Sequence, residues 1–239
     1  MAKILVVEDN HDYQELLQNF LESAKHEITP AGDDVSALAL LSRHSFDLIL
    51  LDIMLPGNDG FDICEKIRAQ GNTTPVVMLT ALDNESYQMR GYKLRIDDYI
   101  TKPVSMPLLL HKVEAILRRT IPAVSRDAHD ALHFEDITLD LRTHTVHICD
   151  TDVAFTLREF EILQELMQEP GSVVTRKSLI EKLWGYDFYG DTRIVDTHMK
   201  NIRKKLGVSD YIETIRGVGY KLRKDNSQFK NKPEGGSLL

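Results

Sequence analysis

The feature that most constrains the fold is an alternation of short apolar runs with amphipathic stretches over residues 1–119. The runs at 4–7 and 46–51 have the length of buried strands, and the stretches between such runs carry apolar residues at helical spacing. Strands that alternate with helices in this way form a parallel sheet covered on both faces. The predicted fold class of this half is therefore α/β, with a five-stranded, doubly wound parallel sheet.

The pattern changes after residue 119. Residues 120–131 (TIPAVSRDAHDA) combine a proline with small and charged residues, which is typical of a linker. Residues 132–224 predict short strands, three helices and a final hairpin around 216–218. The polar residues 225–239 are expected to be disordered. Thr156 and Glu159 have the spacing of a capping box, which predicts that a helix starts at Thr156.

Several classes of protein are excluded by the sequence. It has no run of about 18 apolar residues, so no transmembrane helix is predicted. The first residues lack the long apolar stretch and cleavage site of a signal peptide. Cys64 and Cys149 lie far apart and do not form a zinc-binding set. We expect a cytoplasmic protein with reduced thiols.

Polar side chains follow the predicted strands at their carboxyl ends. Glu8 and Asp9 end the first strand, Asp52 the third, Thr80 the fourth, and Lys102 follows the fifth. Ligands of parallel α/β sheets bind at this edge. Grouped carboxylates suit Mg²⁺ or Mn²⁺, a lysine and a hydroxyl suit a phosphoryl group, and a carboxylate can itself accept phosphate. The alternative is that these acids only solubilise loops or cap helices. The Lys-Pro step at Lys102 predicts a cis peptide bond that aims the lysine at the site.

The strings VVEDN, LILLDIMLPGNDG, PVVMLTA and DDYITKP give residues 1–119 a close resemblance to the receiver domain of two-component response regulators, which have a flavodoxin/CheY-like fold. The resemblance implies that Asp52 is the phosphoacceptor, supplied by a sensor histidine kinase. It also implies a metal site formed by Glu8, Asp9, Asp52 and the backbone of Met54, with Lys102 on the phosphoryl oxygens and Thr80 and Tyr99 as switch residues. Such a protein is a regulator that accepts and can lose phosphate, and not a substrate-turnover enzyme.

An aspartyl nucleophile on such a sheet also occurs in haloacid-dehalogenase-like phosphatases. Those enzymes use an Asp-x-Asp motif, and here the second position after Asp52 is Met54. The phosphatase alternative is therefore disfavoured.

A DNA-binding surface is predicted in the second half, although the net charge of the chain is −8. The charge is uneven, because residues 192–224 contain nine basic and three acidic side chains. On a helical wheel Val195, Met199, Ile202 and Leu206 form the core face of a helix at 192–206. The opposite side carries groups suited to bases and phosphates, namely Arg193, Thr197, Lys200, Asn201, Arg203 and Lys204. A solvated cationic face is the alternative.

The strings FTLREFEIL, GSVVTRKSLIEKLWGY, DTRIVDTHMKNIRKKLG and ETIRGVGYKL give residues 132–223 a resemblance to the winged helix-turn-helix domain of the OmpR/PhoB subfamily. Arg216 sits at a Gly-permitted turn that can enter a minor groove. The resemblance adds Arg176, Trp184 and Tyr220 as candidate DNA contacts, with a core role for Trp184 as the alternative. It implies a transcription regulator that binds tandem half-sites in promoter DNA as a dimer and contacts RNA polymerase.

Relatives of this type dimerise on phosphorylation through the fourth and fifth helices of the receiver and the strand between them. The candidate interface residues are Asp97, Asp98, Lys112 and Arg119. The chain departs from the pattern, because Gln88 and Leu108 replace a charged pair and Arg95-Ile96 replaces Gly-Ala, which predicts an altered end of the fourth helix. A phosphorylation-independent regulator with a vestigial switch is the remaining alternative, and the intact acidic pocket speaks against it.

Overall fold

The computed structural model describes residues 1–57, 59–80, 96–120 (without the side chains of 119 and 120), 131–149, 151–185, 188, 192–207 and 211–223. The predicted helix that contains Gln88, the turn at Arg95 and the tail 225–239 lie outside these residues. Ile96 is described, and its side chain is buried beneath the first sheet.

The first half is a parallel α/β sheet. Its strands follow the order β2-β1-β3-β4-β5, and every pairing is parallel. The predicted five-stranded doubly wound fold is therefore confirmed. The elements are β1 (Lys3–Val7), α1 (His11–Ser23), β2 (Glu27–Ala31), α2 (Asp34–Arg43), β3 (Leu48–Asp52), α3 (Gly60–Ala69), β4 (Val76–Thr80), β5 (Asp98–Thr101) and α4 (Met106–Thr120).

The register of the sheet brings the strand ends to one edge. Val7 is level with Leu51, and Thr80 is level with Thr101. Strands β3 and β4 are buried along their whole length, which matches their unbroken apolar sequences. The residues that follow β1, β3, β4 and β5 therefore meet in a single place.

The described residues of the second half form two antiparallel sheets and three helices. One sheet has the order β6-β7-β8-β9 and the other β10-β12-β11. Strands β6, β9 and β10 were not predicted, since segments of two to four residues are too short to establish a clear alternation. The elements are β6 (Ala131–Phe134), β7 (Ile137–Asp140), β8 (Thr145–Ile148), β9 (Thr151–Val153), α5 (Leu157–Gln168), β10 (Val174–Thr175), α6 (Arg176–Leu183), α7 (Arg193–Leu206), β11 (Ile212–Ile215) and β12 (Gly219–Leu222).

Helices α5 and α7 form as their sequences predict. The capping box at α5 is present, with Glu159 N–H donating to Thr156 Oγ1 and Thr156 N–H donating to Glu159 Oε2 at 2.9 Å. Helix α7 ends at Gly207, whose φ of 70° suits glycine. Its predicted core face is buried, and β11 and β12 form the predicted hairpin beside it. The arrangement is a winged helix-turn-helix.

None of the helices among the described residues has the length and apolar character needed to cross a bilayer.

Candidate phosphoryl-transfer pocket and DNA-binding surface

Three carboxylates converge at the edge of the first sheet. Glu8 and Asp52 are buried, with Asp52 only 3% exposed, whereas Asp9 is exposed. One carboxylate oxygen from each of the three lies within 4.8 Å of the others. The sequence-based expectation that these acids meet is therefore confirmed, although their chemical roles stay predictions.

Lys102 forms ion pairs with two of these acids. Its Nζ donates to Glu8 Oε2 and to Asp52 Oδ2, both at 2.7 Å. Burial alone would lower the pKa of Lys102, but the hydrogen bonds to Asp52 and Glu8 raise it. Burial also raises the pKa of Glu8, against the opposing effect of Lys102. The Lys102-Pro103 peptide bond is cis, as predicted.

The donor set fits a small hard cation. Mg²⁺ prefers carboxylate oxygens and keeps several waters, so one exposed and two buried carboxylates beside solvent suit it. Lys102 already donates hydrogen bonds to two of the three acids that would bind such an ion. Met54 N–H donates to Asp52 Oδ1 at 3.0 Å, which fixes the carboxylate while the Met54 side chain is 62% exposed.

Two residues beside the pocket, Gly60 and Tyr13, were not predicted from the sequence. A Cβ atom on Gly60 would lie 2.2 Å from the backbone oxygen of Asp52, so only glycine lets α3 begin this close to the pocket. The Tyr13 ring lies under Lys102, with Nζ 4.7 Å from the ring centroid. The close approach of Gly60 depends on tertiary structure and could not be read from spacing.

The predicted switch residues lie on β4 and β5. Thr80 is buried at the end of β4, where its backbone carbonyl accepts from Lys102 N–H at 2.7 Å. Tyr99 is half-buried on β5 and packs against the apolar core of the second half. Tyr99 is thus the predicted switch residue that touches both halves of the chain.

The two halves contact each other through the start of α5. Leu157 joins the apolar cluster of the first half that contains Ile100 and Leu109. Arg158, 1% exposed, donates from Nε to the Asp97 carbonyl oxygen at 2.9 Å. Its Nη1 donates to Glu161 at 2.7 Å, and its guanidinium lies 4.7 Å from the centroid of the Trp184 ring. Arg158 was not among the predicted functional residues, because its partner Asp97 is 61 positions away.

A cationic surface runs along α7 and the hairpin tip. Arg193, Lys200 and Lys204 are exposed on α7, and Thr197 and Asn201 are partly exposed beside them. Arg216 is exposed in the turn before Gly217, whose φ is 72°. These predicted DNA contacts lie on the surface as expected.

Other predicted DNA contacts have partners within the domain. Tyr220 is only 3% exposed, and its hydroxyl donates to Asp196 Oδ1 at 2.6 Å. Arg176 Nε donates to the same oxygen at 2.7 Å. Arg203 donates to the Ile212 carbonyl and to the Thr214 hydroxyl.

Trp184 is buried against Arg158, so the alternative of a core aromatic describes its position. The side chains of Tyr220 and Trp184 are thus buried in the protein without DNA, and their contacts with DNA stay predictions.

The candidate dimer residues differ in exposure. Asp97 is fully buried and accepts from Val76 N–H at 2.8 Å and from Arg68, so it does not belong to an exposed interface in this arrangement. Burial raises the pKa of Asp97 to about 6, against the lowering effect of Arg68. Lys112 donates to both oxygens of Asp98 within the same chain, at 2.8 Å. The Arg119 side chain lies outside the described residues, and Leu108 is exposed on α4.

Comparison with known protein families agrees with the fold and the pocket. The model of the response regulator receiver domain matches residues 4–114, and the model of the C-terminal domain of transcriptional regulatory proteins matches residues 150–222. The chain therefore belongs to the two-component response regulators, and its DNA-binding domain places it in the OmpR/PhoB group.

Individual relatives cover nearly the whole chain. The sensory transduction protein RegX3 of Mycolicibacterium smegmatis is 38% identical over 93% of this chain and 99% of the relative. The alkaline phosphatase synthesis transcriptional regulatory protein PhoP of Bacillus subtilis is 40% identical over 92% of this chain and 96% of the relative. A solved structure of a RitR mutant is 27% identical, covers 94% of this chain and 100% of that chain, and has a TM-score of 0.69. The chain is a DNA-binding transcription regulator of a two-component system.

Proposed function

We propose that Asp52 accepts a phosphoryl group from a sensor histidine kinase and that this modification controls promoter binding. Glu8, Asp9 and Asp52, with the Met54 backbone, would hold Mg²⁺ or Mn²⁺, and the ion would supply positive charge during transfer. Lys102 then moves to the phosphoryl oxygens, and Thr80 and Tyr99 respond to the new charge. The proposal divides the chain into a receiver domain (1–119), a linker (120–131) and a DNA-binding effector domain (132–224).

The observation that carries the proposal is the position of Lys102 between Glu8 and Asp52. A half-buried ammonium that bridges two carboxylates can exchange one carboxylate for a phosphate oxygen without leaving the pocket. Preorganised charges of this kind are the main source of catalysis in phosphoryl transfer.

The contact at Arg158 supplies a route from the pocket to the DNA-binding domain. Tyr99 lies on β5, two residues before Thr101 at its end, and Asp97 directly precedes the strand. A shift of β5 or Tyr99 would change the surface on which Leu157 and Arg158 pack. We propose that phosphorylation loosens this contact, so that the receiver face becomes available for a second copy and the effector domain can bind tandem half-sites.

On DNA, the exposed face of α7 enters the major groove, with Arg193 and Asn201 reading bases and Lys200 and Lys204 contacting phosphates. Arg216 at the hairpin tip reaches the minor groove. RNA polymerase is the proposed partner of the promoter-bound dimer.

The test uses the full-length chain treated with acetyl phosphate and Mg²⁺, followed by intact mass measurement, size analysis and DNA binding. We expect the wild type to gain one phosphoryl group, to dimerise and to bind promoter DNA more tightly. The Asp52→Ala variant is the control and should show none of these changes. A wild-type protein that is modified without any change in dimerisation or DNA affinity would support the phosphorylation-independent regulator instead.

A further inference from the structure

Tyr13 lies in the first turn of α1 at a position that the surrounding contacts fix. Asn10 caps the helix by accepting from Tyr13 N–H at 2.9 Å. The Gln14 side chain donates to the carbonyl oxygens of Glu8 and Ala31, both at 2.9 Å. The start of α1 is therefore fastened to the ends of β1 and β2, which determines where the Tyr13 ring can lie.

The Tyr13 side chain touches both Lys102 and the segment that follows it. Lys102 Nζ is 4.7 Å from the ring centroid, and Val104 N–H donates to the Tyr13 hydroxyl at 3.1 Å. The ring also packs against the apolar cluster that contains Leu109 and Val113 of α4. The face of an aromatic ring attracts a cation, and the attraction grows when the cation is partly desolvated.

A divalent ion and Lys102 compete for the same carboxylates. Lys102 donates to Glu8 Oε2 and Asp52 Oδ2, and both residues belong to the three acids that could hold a divalent ion. An ion bound by these carboxylates would weaken their bonds to Lys102 and would repel the ammonium. The Tyr13 ring is the group beside Lys102 that can still stabilise the ammonium without competing for the ion.

We propose that Tyr13 is a positioning residue, which keeps Lys102 in the pocket while a divalent cation occupies the carboxylates and before the phosphoryl group arrives. This inference rests on the proposed phosphoacceptor function of Asp52. It assigns the aromatic ring, and not the hydroxyl, as the essential group.

The test compares three variants of the full-length chain with the wild type. Calorimetric titration with Mg²⁺, without a phosphodonor, should show about three- to tenfold weaker binding for Tyr13→Leu, because the ring contact should strengthen once the ammonium gives up its carboxylate partners. Tyr13→Phe keeps the ring and should stay within about twofold of the wild type. Phe20→Leu removes another aromatic of α1 that packs in the same cluster, and it should leave Mg²⁺ binding unchanged.

A second readout is the rate of acetyl phosphate modification at saturating Mg²⁺, which should fall for Tyr13→Leu and recover for Tyr13→Phe. If Tyr13→Leu does not fold, Tyr13→Met replaces it, because its long, flexible side chain adapts to the site without a ring. The inference is overturned if Tyr13→Leu binds Mg²⁺ and is modified like the wild type. It is also overturned if Tyr13→Phe or Phe20→Leu loses as much as Tyr13→Leu. A wild type that binds Mg²⁺ but is not modified at Asp52 would overturn the proposed function alone, and the Mg²⁺ titration would still decide the role of Tyr13.

Discussion

The two charged regions of this response regulator use their charges in opposite ways. In the pocket, Lys102 is half-buried between Glu8 and Asp52, and each charge has a partner of opposite sign at 2.7 Å. Along α7, Arg193, Lys200 and Lys204 point to solvent. Matched, buried charges depend on the geometry of the fold and respond to one ligand, whereas exposed cations attract any polyanion and are screened by salt. The comparison predicts that substitutions in the first region act on chemistry and those in the second on affinity.

The largest effect is expected for Lys102→Ala. The variant loses the cation that faces the developing phosphoryl charge, so modification of Asp52 by acetyl phosphate should slow by about a hundredfold or more. Mass measurement over time gives the rate. Lys112→Ala is the matched control, because it breaks a partly buried ion pair with Asp98 on the neighbouring face, and it should leave the rate within about twofold.

The next effect concerns Asp97, the buried acid beside Arg68 and near Arg158 and Glu161. Its pKa in the folded chain is raised from 3.8 to about 6, so the charged form is disfavoured by folding. The free energy of unfolding should therefore fall as the pH rises from about 4 through 6, by at most about 3 kcal/mol from this group. Urea unfolding between pH 4.5 and 7.5 should show this fall, and Asp97→Asn should flatten it. An identical pH profile in the variant would contradict the assignment.

A smaller effect is expected at the contact between the domains. Arg158→Ala removes the hydrogen bond to the Asp97 carbonyl and should raise the DNA affinity of the unphosphorylated chain by about tenfold, the size of a typical coupling between sites. Binding is measured on the same DNA for both proteins. The control is Arg158→Ala in the separately expressed effector domain, residues 132–224. An equal rise in the DNA affinity of that domain would show that the contact between the domains is not involved.

The smallest effect is expected for the exposed lysines of α7. Lys200→Ala and Lys204→Ala should each lower the slope of log affinity against log salt concentration by about one, because each removes one phosphate contact. Binding measured over a series of salt concentrations gives the slopes. Lys177→Ala changes an exposed lysine on α6 and is the matched control, with an unchanged slope expected.

The sequence was sufficient for the features that depend on local pattern. Glu8, Asp52, Thr80 and Lys102 could be placed together because the carboxyl ends of parallel strands share one edge. The core face of α7 and the capping box of α5 follow from residue spacing alone, and both are confirmed. The cis bond before Pro103 was predicted from the Lys-Pro step.

Features that depend on distant partners were missed or misplaced. Tyr220 and Arg176 look like surface groups in the sequence, but both bind Asp196, which lies on α7. Arg158 is the one Lys or Arg side chain of α5, and its contact with the Asp97 carbonyl forms only in the folded chain. Asp97 and Asp98 were assigned to an interface from the family resemblance, whereas the fold buries both of them, Asp97 beside Arg68 and Asp98 against Lys112. Long-range contacts of this kind have no periodic signature.

The most direct test of phosphorylation-controlled DNA binding is genome-wide footprinting of the wild type and Asp52→Ala at equal protein levels. We expect the wild type to occupy pairs of adjacent half-sites under conditions that phosphorylate the receiver, and the variant to lose this occupancy. Equal occupancy of the same sites by both proteins would contradict it.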